Sequence, residues 1–332
     1  MDRQKAILII QTAFIGDLIL ATPIIEKMAR FYPDYGLDIL VRKGNESLLV
    51  EHPHIRNVII WNKKEDKYKN WWQILKQIQK ERYEYLINVQ RFFSTGMLAM
   101  LSRAKHIIGF DKNPLSFSFT SAIKHEIGQG KHEVERNLSL ISALTDDSFQ
   151  RPVLHPPTAS VEKVAPYQQE PYVCMAPTSV WFTKQMPAQK WVELISMIPA
   201  SYTVYLLGAP SDHEACENIR RAAAHSSVVN LAGKLSLIDS VQLISLAAMT
   251  YVNDSAPMHM ASSVNAPTTA FFCSTVPSFG FGPLADIAFL AETNRDLSCR
   301  PCGLHGKKAC PLAHFDCGYH ISFDKQILPG QA

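Results

Sequence analysis

Three stretches carry residue types that could do chemistry together. In the stretch 251–264 an apolar run ends at Asn253, Asp254-Ser255-Ala256 makes a turn, and Pro257 opens a helix. Asp or Ser ahead of a helix, with Pro in its first turn, is a helix-start signal. First-turn N–H groups lack internal partners and lie at the positive end of the helix dipole, so the turn suits an anion. Asp254 and His259 flank it. The expectation is a docked nucleotide pyrophosphate. The plain alternative is a capped helix at an ordinary strand-to-helix turn.

The second stretch is Gly16-Asp17, just past an apolar strand over 6–11. Gly16 permits a tight turn or a close backbone approach. Asp17 falls where a helix cap would sit, and also where an open α/β sheet presents a carboxylate to its ligand. The third is the loop 177–187, with Thr178, Ser179 and Lys184. Lys184 reads either as a mobile surface lysine or as a phosphate partner. Together these groups suit transfer from a phosphate-activated donor. One carboxylate takes a proton from an acceptor hydroxyl, while a lysine and N–H donors offset the charge growing on a leaving pyrophosphate. The cluster His132, Glu133, Glu135 and Arg136 reads as a solvated helix face, with an acceptor-binding rim as the alternative.

Other chemistries lack their residues. No Asp-x-Asp pair offers Mg²⁺ two carboxylates, so no metal is expected in catalysis. Gly-x-Gly-x-x-Gly follows neither first strand, and neither a P-loop nor a Gly-x-Ser-x-Gly elbow occurs. Four of the seven cysteines form Cys299-x₂-Cys302-x₇-Cys310-x₆-Cys317. The first pair is spaced as in zinc sites, and the second is too wide. His305, His314 and His320 lie nearby. Structural zinc, disulfides and buried free thiols are the three options, and the expected role is structural rather than catalytic.

Positioning these groups requires an alternation of strands and helices. Strands are expected over 6–11, 37–42, 57–61 and 85–89, with helices over 18–31, 71–82, 94–104 and 133–145. A second alternation has strands over 172–176, 203–207, 249–253 and 268–273, with helices over 188–198, 211–224 and 236–248. The class is α/β, with two doubly wound parallel-sheet halves leaving a cleft at their carboxyl edges. Five prolines between 152 and 171 mark a linker, so the expected domains are 1–155 and 171–332, joined by 156–170. With 332 residues, 47% of them apolar, the chain can bury two cores. A net charge of +3 is too mild to argue for nucleic acid. The N-terminal apolar run is too short for a signal peptide and no run reaches membrane-spanning length, so a cytoplasmic protein is expected. Tyr68, Trp71 and Trp72 lie among Lys63, Lys64, Lys67, Lys69 and Lys76. That mix suits an anionic lipid surface, with a solvated helix burying its tryptophans as the alternative.

Several segments together resemble the heptosyltransferase family of glycosyltransferases, the ADP-heptose:lipopolysaccharide enzymes. They are Gly16-Asp17 with Thr22-Pro23, Lys184 ahead of Pro187 and Trp191, Leu207-Gly208-Ala209, Gly233-Lys234-Leu235-Ser236-Leu237, the run Asn253 to His259, and the cysteine tail. The resemblance implies an inverting, metal-independent enzyme of GT-B architecture, with two Rossmann-like domains facing a cleft. The first domain would bind the acceptor and the second the donor. It implies no required cofactor, a donor such as ADP-heptose, and a lipid-linked saccharide acceptor on lipopolysaccharide core or lipid A. The location implied is the cytoplasmic face of the inner membrane. By the same resemblance Asp17 is the base, Lys184 meets the donor diphosphate, and Thr178 and Ser179 are its hydroxyl partners. Gly16, Asp254, Ser255, Ala256, Met258 and His259 line the donor, Glu214 its ribose, Leu235 its adenine, and Arg136 the acceptor. Where the family often has Gly, this chain has Ala256, and because Ala tolerates positive φ poorly the loop is expected to sit slightly differently. Rival readings are a transferase for another sugar nucleotide and a non-catalytic sugar- or nucleotide-binding protein.

Overall fold

The computed structural model describes residues 5–324 and 327–330, so residues 1–4 and 331–332 of the expected domain bounds lie outside it. The chain forms two compact units, Met1–His155 and Pro156–Ala332. In the first, the order is β1 (Ala6–Gln11), α1 (Ile15–Ile19), α2 (Thr22–Phe31), β2 (Gly36–Arg42), β3 (Asn57–Trp61), α3 (Lys67–Glu81), β4 (Tyr85–Asn88), α4 (Phe93–Leu101), β5 (His106–Phe110), β6 (Ser121–Ile123) and α5 (Glu133–Ser139). The second runs α6 (Thr158–Val164), β7 (Tyr172–Ala176), α7 (Ala188–Met197), β8 (Thr203–Leu206), α8 (His213–Ala222), β9 (Val228–Asn230), α9 (Leu237–Ser245), β10 (Thr250–Asn253), α10 (Ala256–Ser263), β11 (Thr268–Phe272), β12 (Ala288–Glu292) and α11 (Asp316–Tyr319).

Each unit has one six-stranded parallel sheet. The orders are β3-β2-β1-β4-β5-β6 and β12-β11-β10-β7-β8-β9, which are the same order read from opposite edges. This is the doubly wound Rossmann order, and it reverses direction beside the first strand of each unit. The β1 residues are all buried, as a strand covered on both faces requires. Ile9 registers with Ile39 on one side and Ile87 on the other. Side chains such as Leu8, Trp61, Ile78 and Leu86 fill the first core, and Val173, Trp191, Tyr251 and Phe271 the second. The expected α/β class with two such halves is therefore present.

Several local expectations are corrected. The helix expected over 18–31 is two helices, because Pro23 has no N–H to continue a ladder and Thr22 Oγ1 donates to the Ile19 carbonyl at 2.8 Å. The stretch 156–170, expected as a linker, carries α6, whose Ser160 Oγ and Lys163 Nζ donate to Asp239 on α9 at 2.7 and 2.6 Å. Strands β5, β6, β9 and β12 had no counterpart in the sequence reading. β6 and β9 are three residues long and only one residue of β12 is fully buried, so these three lack a buried apolar run, whereas β5 has one at Ile107–Phe110 that the sequence reading passed over. The tryptophan pair on α3 divides. Trp71 is buried and its indole N–H donates to the Ser94 carbonyl at 3.1 Å, whereas Trp72 is 56% exposed. Lys63 is tied to Thr12 through its carbonyl and hydroxyl at 2.8 and 2.9 Å, and the Lys67 side chain lies outside what the structure describes.

Lys27 on α2 is buried, with its ammonium donating to the carbonyls of Asp146 and Ser148 at 2.6 and 2.8 Å and pairing with the Asp146 carboxylate. The Lys27 hydrogen bond first, and the Ser148 hydroxyl next, pull the Asp146 carboxyl down to about 2. A depressed folded value adds stability above the unfolded value near ~4 and loses it as pH falls through the folded one. Asp146→Asn is therefore expected to be less stable than wild type at neutral pH, with the gap closing between about pH 4 and pH 2. Melting curves across that range check it, and a gap independent of pH would refute the coupling.

Candidate active site

In the first unit the loop after β1 leads into α1, and Asp17 is in that helix's first turn. Asp17 is not the cap residue. Phe14 holds that place, and the Asp17 carboxylate accepts the Phe14 N–H at 3.2 Å. The Gln11 side-chain amide donates to the Asp17 carbonyl at 3.3 Å, which ties the turn to the end of β1. Gly16 has ordinary helical backbone.

The polar cluster at 132–136 is a helix start with a buried ion pair, not a solvated face. His132 caps α5, its Nδ1 accepting the Val134 N–H at 3.2 Å, while Glu135 accepts the His132 N–H at 2.6 Å. Arg136 is only 4% exposed, and its Nε donates to Glu133 at 2.7 Å. Arg136 therefore lies in the interior and not on a solvated face. Burial above all, aided by the negative charge of Asp17, pushes the Glu133 carboxyl up, and Arg136 and Arg91 oppose the shift. Asp17, Glu133, Arg136 and Arg91 are thus one electrostatic group.

Beside it is a concavity of about 480 Å³ lined by Arg91, Phe92, Lys112, His125 and Ile127. The His125 imidazole is pushed down to about 4, by burial first and then by the charges of Arg91 and Arg136. Sequence reasoning missed Arg91, Lys112 and His125. The available signal was position, since Arg91-Phe92 immediately follows β4, the strand next to β1 where the sheet order reverses.

In the second unit the corresponding strand ends are those of β7 and β10. Lys184, from the loop after β7, pairs with Asp254, from the turn after β10, at 2.7 Å. Its side chain is 15% exposed, which excludes the mobile surface reading. Thr275 Oγ1 donates to the same Asp254 oxygen at 2.6 Å. The Asn253 side chain joins the two loops, accepting the Met186 N–H and donating to the Pro177 carbonyl, both at 2.9 Å. Thr178 and Ser179 are half-buried in the same loop, and the Ser179 carbonyl accepts from Gln185 at 2.7 Å.

The donor turn needs no unusual backbone. Ser255 caps α10 and Ala256 is its first residue, with helical geometry and no positive φ. The Met258 side chain lies in the core and its N–H is bonded to the Ser255 carbonyl at 3.0 Å. His259 is buried. Glu214 is exposed on the first turn of α8, and Leu235 is half-buried past β9. Both follow strands on the β7 side of the sheet. Just before Leu235, Gly233 has φ +78°, and a Cβ there would meet Pro210 Cα at 2.9 Å, so glycine is required.

The cysteine tail backs the lysine loop. Lys307 exchanges backbone hydrogen bonds with Thr183, donating to its Oγ1 at 2.8 Å and accepting its N–H at 3.1 Å. Cys302 N–H donates to the Ser274 carbonyl at 2.9 Å, and Ser274 Oγ bonds Thr183 Oγ1 at 3.0 Å. Arg300 donates to the carbonyls of Cys273, Phe272 and Thr275 at 2.6, 3.1 and 2.8 Å and pairs with Glu292. Nothing in the spacing of these residues announced that role. All seven cysteines are free thiols. Burial foremost, with Cys302, Cys310 and Cys299 adding to it, pushes the Cys317 thiol up to about 11.

The model of glycosyltransferase family 9 (heptosyltransferase) matches residues 71–308. Lipopolysaccharide heptosyltransferase 3 of Escherichia coli is 29% identical over 279 residues, covering 79% of this chain and 82% of that protein. Lipooligosaccharide heptosyltransferase 2 of Haemophilus influenzae is 24% identical over 305 residues, covering 85% and 87%. Among solved structures, ADP-heptose LPS heptosyltransferase II of E. coli superposes with a TM-score of 0.76 at 20% identity, covering 90% of this chain and 95% of that one. E. coli heptosyltransferase WaaC with ADP gives 0.71 at 19% identity, covering 86% and 93%. The fold is that of these GT-B proteins.

Proposed function

Since the chain belongs to glycosyltransferase family 9, the heptosyltransferases, we propose that it moves a heptose from ADP-heptose, or a close nucleotide sugar, onto a lipopolysaccharide core saccharide. The observation that carries this reading is the buried Lys184–Asp254 pair at the carboxyl ends of β7 and β10, where a doubly wound sheet binds its ligand. Asp254 and Thr275 hold the lysine for a donor diphosphate. Ser255 and Ala256 bring the start of α10 to the same phosphates. Thr178 and Ser179 add hydroxyls, Gly16 lets the first loop approach the sugar, His259 supports the donor turn, and Glu214 and Leu235 serve ribose and base.

The reaction is a single displacement. Asp17 takes the proton of an acceptor hydroxyl as its oxygen attacks the anomeric carbon. The bond from that carbon to the phosphate oxygen breaks on the opposite face, so the configuration inverts. The electron pair leaves with ADP, and Lys184 offsets its charge. The concavity lined by cationic Arg91 and Lys112, with the His125 imidazole neutral beside them, takes a carboxylate or phosphate of the acceptor. Exposed Tyr68, Trp72, Lys64 and Lys69 rest on the anionic inner membrane at its cytoplasmic face. The tail of Cys299, Cys302, Cys310 and Cys317 braces the Lys184 loop and takes no part in the chemistry.

Thermal shift with ADP, UDP and GDP and their sugars tests the donor, because a ligand of the folded state raises the melting temperature with concentration. ADP-heptose is expected to give the largest shift. Transfer to heptose-bearing core saccharide is expected to proceed in EDTA. A larger shift with a UDP or GDP sugar reassigns the donor. Absence of both shift and turnover with every nucleotide sugar overturns the enzyme reading.

A further inference from the structure

Away from that chemistry, three imidazoles of the first unit converge on one carboxylate. Glu26 on α2 receives His155 Nε2 at 3.0 Å and His52 Nε2 at 3.5 Å on Oε1, and His54 Nε2 at 3.5 Å on Oε2. The ligand atoms of Glu26, His52 and His155 all lie within 4.8 Å of one another. The rings of His52 and His155 meet edge to face, with centroids 4.7 Å apart, and the His54 ring is 6.0 and 6.2 Å from them. The His52 side chain is 1% exposed, and its Nε2 is buried with no hydrogen-bond partner.

A hydrogen-bonded cluster explains this poorly. One oxygen faces two imidazole nitrogens, and 3.5 Å is too long for a hydrogen bond. A buried ring nitrogen without a partner calls for an explanation, and an unseen ion is one of the few available. The donor set of three imidazoles and a carboxylate, with no thiolate, is that of borderline divalent metals. Zinc bonds of about 2.0–2.1 Å set tetrahedral ligand atoms roughly 3.3 Å apart. The separations of 3.0 and 3.5 Å from Glu26 Oε1 lie on either side of that edge.

We propose that Glu26, His52 and His155, with His54 as fourth ligand, form a structural site for a divalent transition metal of the zinc class. Each imidazole binds as a neutral base through Nε2 and keeps its proton on Nδ1. His52 Nδ1 then gives up the long 3.3 Å contact it accepts from the His54 N–H. Any proton on a ligating nitrogen is released to solvent. The ligands come from α2, from the turn after residue 51, and from the last residue of the first unit. The strap 153–155 already touches α2, the Val153 N–H donating to Thr22 Oγ1 at 3.0 Å. A metal clamps this strap where the chain leaves the first unit. The site goes beyond the proposed transfer reaction, and its readouts do not involve turnover.

The test uses the full chain, stripped with a chelator and dialysed. Zn²⁺ is followed by metal analysis and melting temperature, and Co²⁺ by its visible d–d absorption. Cobalt on nitrogen and oxygen ligands lacks the thiolate charge-transfer bands that the cysteine tail would give, so the two sites are told apart spectrally. Wild type is expected to bind an equivalent of Co²⁺ that adds d–d absorption without adding thiolate bands, and to melt higher with Zn²⁺. His155→Ala and Glu26→Gln, both at partly exposed positions, are expected to lose that equivalent and part of the zinc-induced rise. Their metal-free circular dichroism is expected to match wild type. Wild type in which every bound Co²⁺ brings thiolate bands, or variants that keep the thiolate-free equivalent, would overturn the proposal.

Discussion

Replacing Asp17 by Asn is expected to lower kcat by on the order of 10³-fold, the scale of losing a positioned general base. Asn has the same shape, and its Oδ1 can still accept the Phe14 N–H that Asp17 accepts at 3.2 Å, so α1 stays formed. What is lost is the capacity to take a proton from the acceptor. The dissociation constant of ADP, measured by thermal shift or calorimetry, should stay within a few-fold, because the donor groups belong to the second unit. This split separates a base from a structural residue. A purely structural Asp17 would show lowered melting with kcat retained in the folded fraction, and a non-catalytic binding protein would show no turnover to lose.

Replacing Lys184 by Ala is expected to lower kcat by about 10²-fold or more, the cost of one strong electrostatic stabiliser of a leaving group. It should also destabilise the second unit, on the order of 3 kcal/mol, because Asp254 is left buried with only Thr275 beside it. Lys184→Met combined with Asp254→Asn removes both charges. That double variant is expected to recover much of the melting temperature and none of the rate. Recovery of both would reduce Lys184 to a structural partner of Asp254. Lys184→Arg is expected to rescue poorly, since a planar fork does not replace a compact ammonium held by one carboxylate oxygen.

Much of the scaffold was legible because it is written locally. Buried runs such as those at 6–11 and 172–176 are apolar along their length, and helices such as α7 and α9 repeat their apolar residues at helical spacing. Short strands were not legible. Val228–Asn230 is three residues long, and Ala288–Glu292 leaves most of its side chains in solvent, so neither makes a periodic signal. Arg136 was misread for a related reason. A charged helix start looks solvated in sequence, and only packing places Glu133 against it in the interior.

By itself the sequence determined the two alternations of strand and helix, the placement of Asp17 and Lys184 in the segments that follow first strands, and the turn that opens α10. These follow from side-chain period, proline and glycine chemistry and capping, all of which act over a few residues. The tertiary structure alone decided what those residues touch. The Asn253 bond to Met186 spans 67 residues, that of Thr183 to Lys307 spans 124, and that of Glu26 to His155 spans 129. Such partners are chosen by sheet order, which brings strand ends together across the chain, and no local pattern carries that choice. The Lys184–Asp254 pair, the brace from the cysteine tail and the histidine cluster all rest on it.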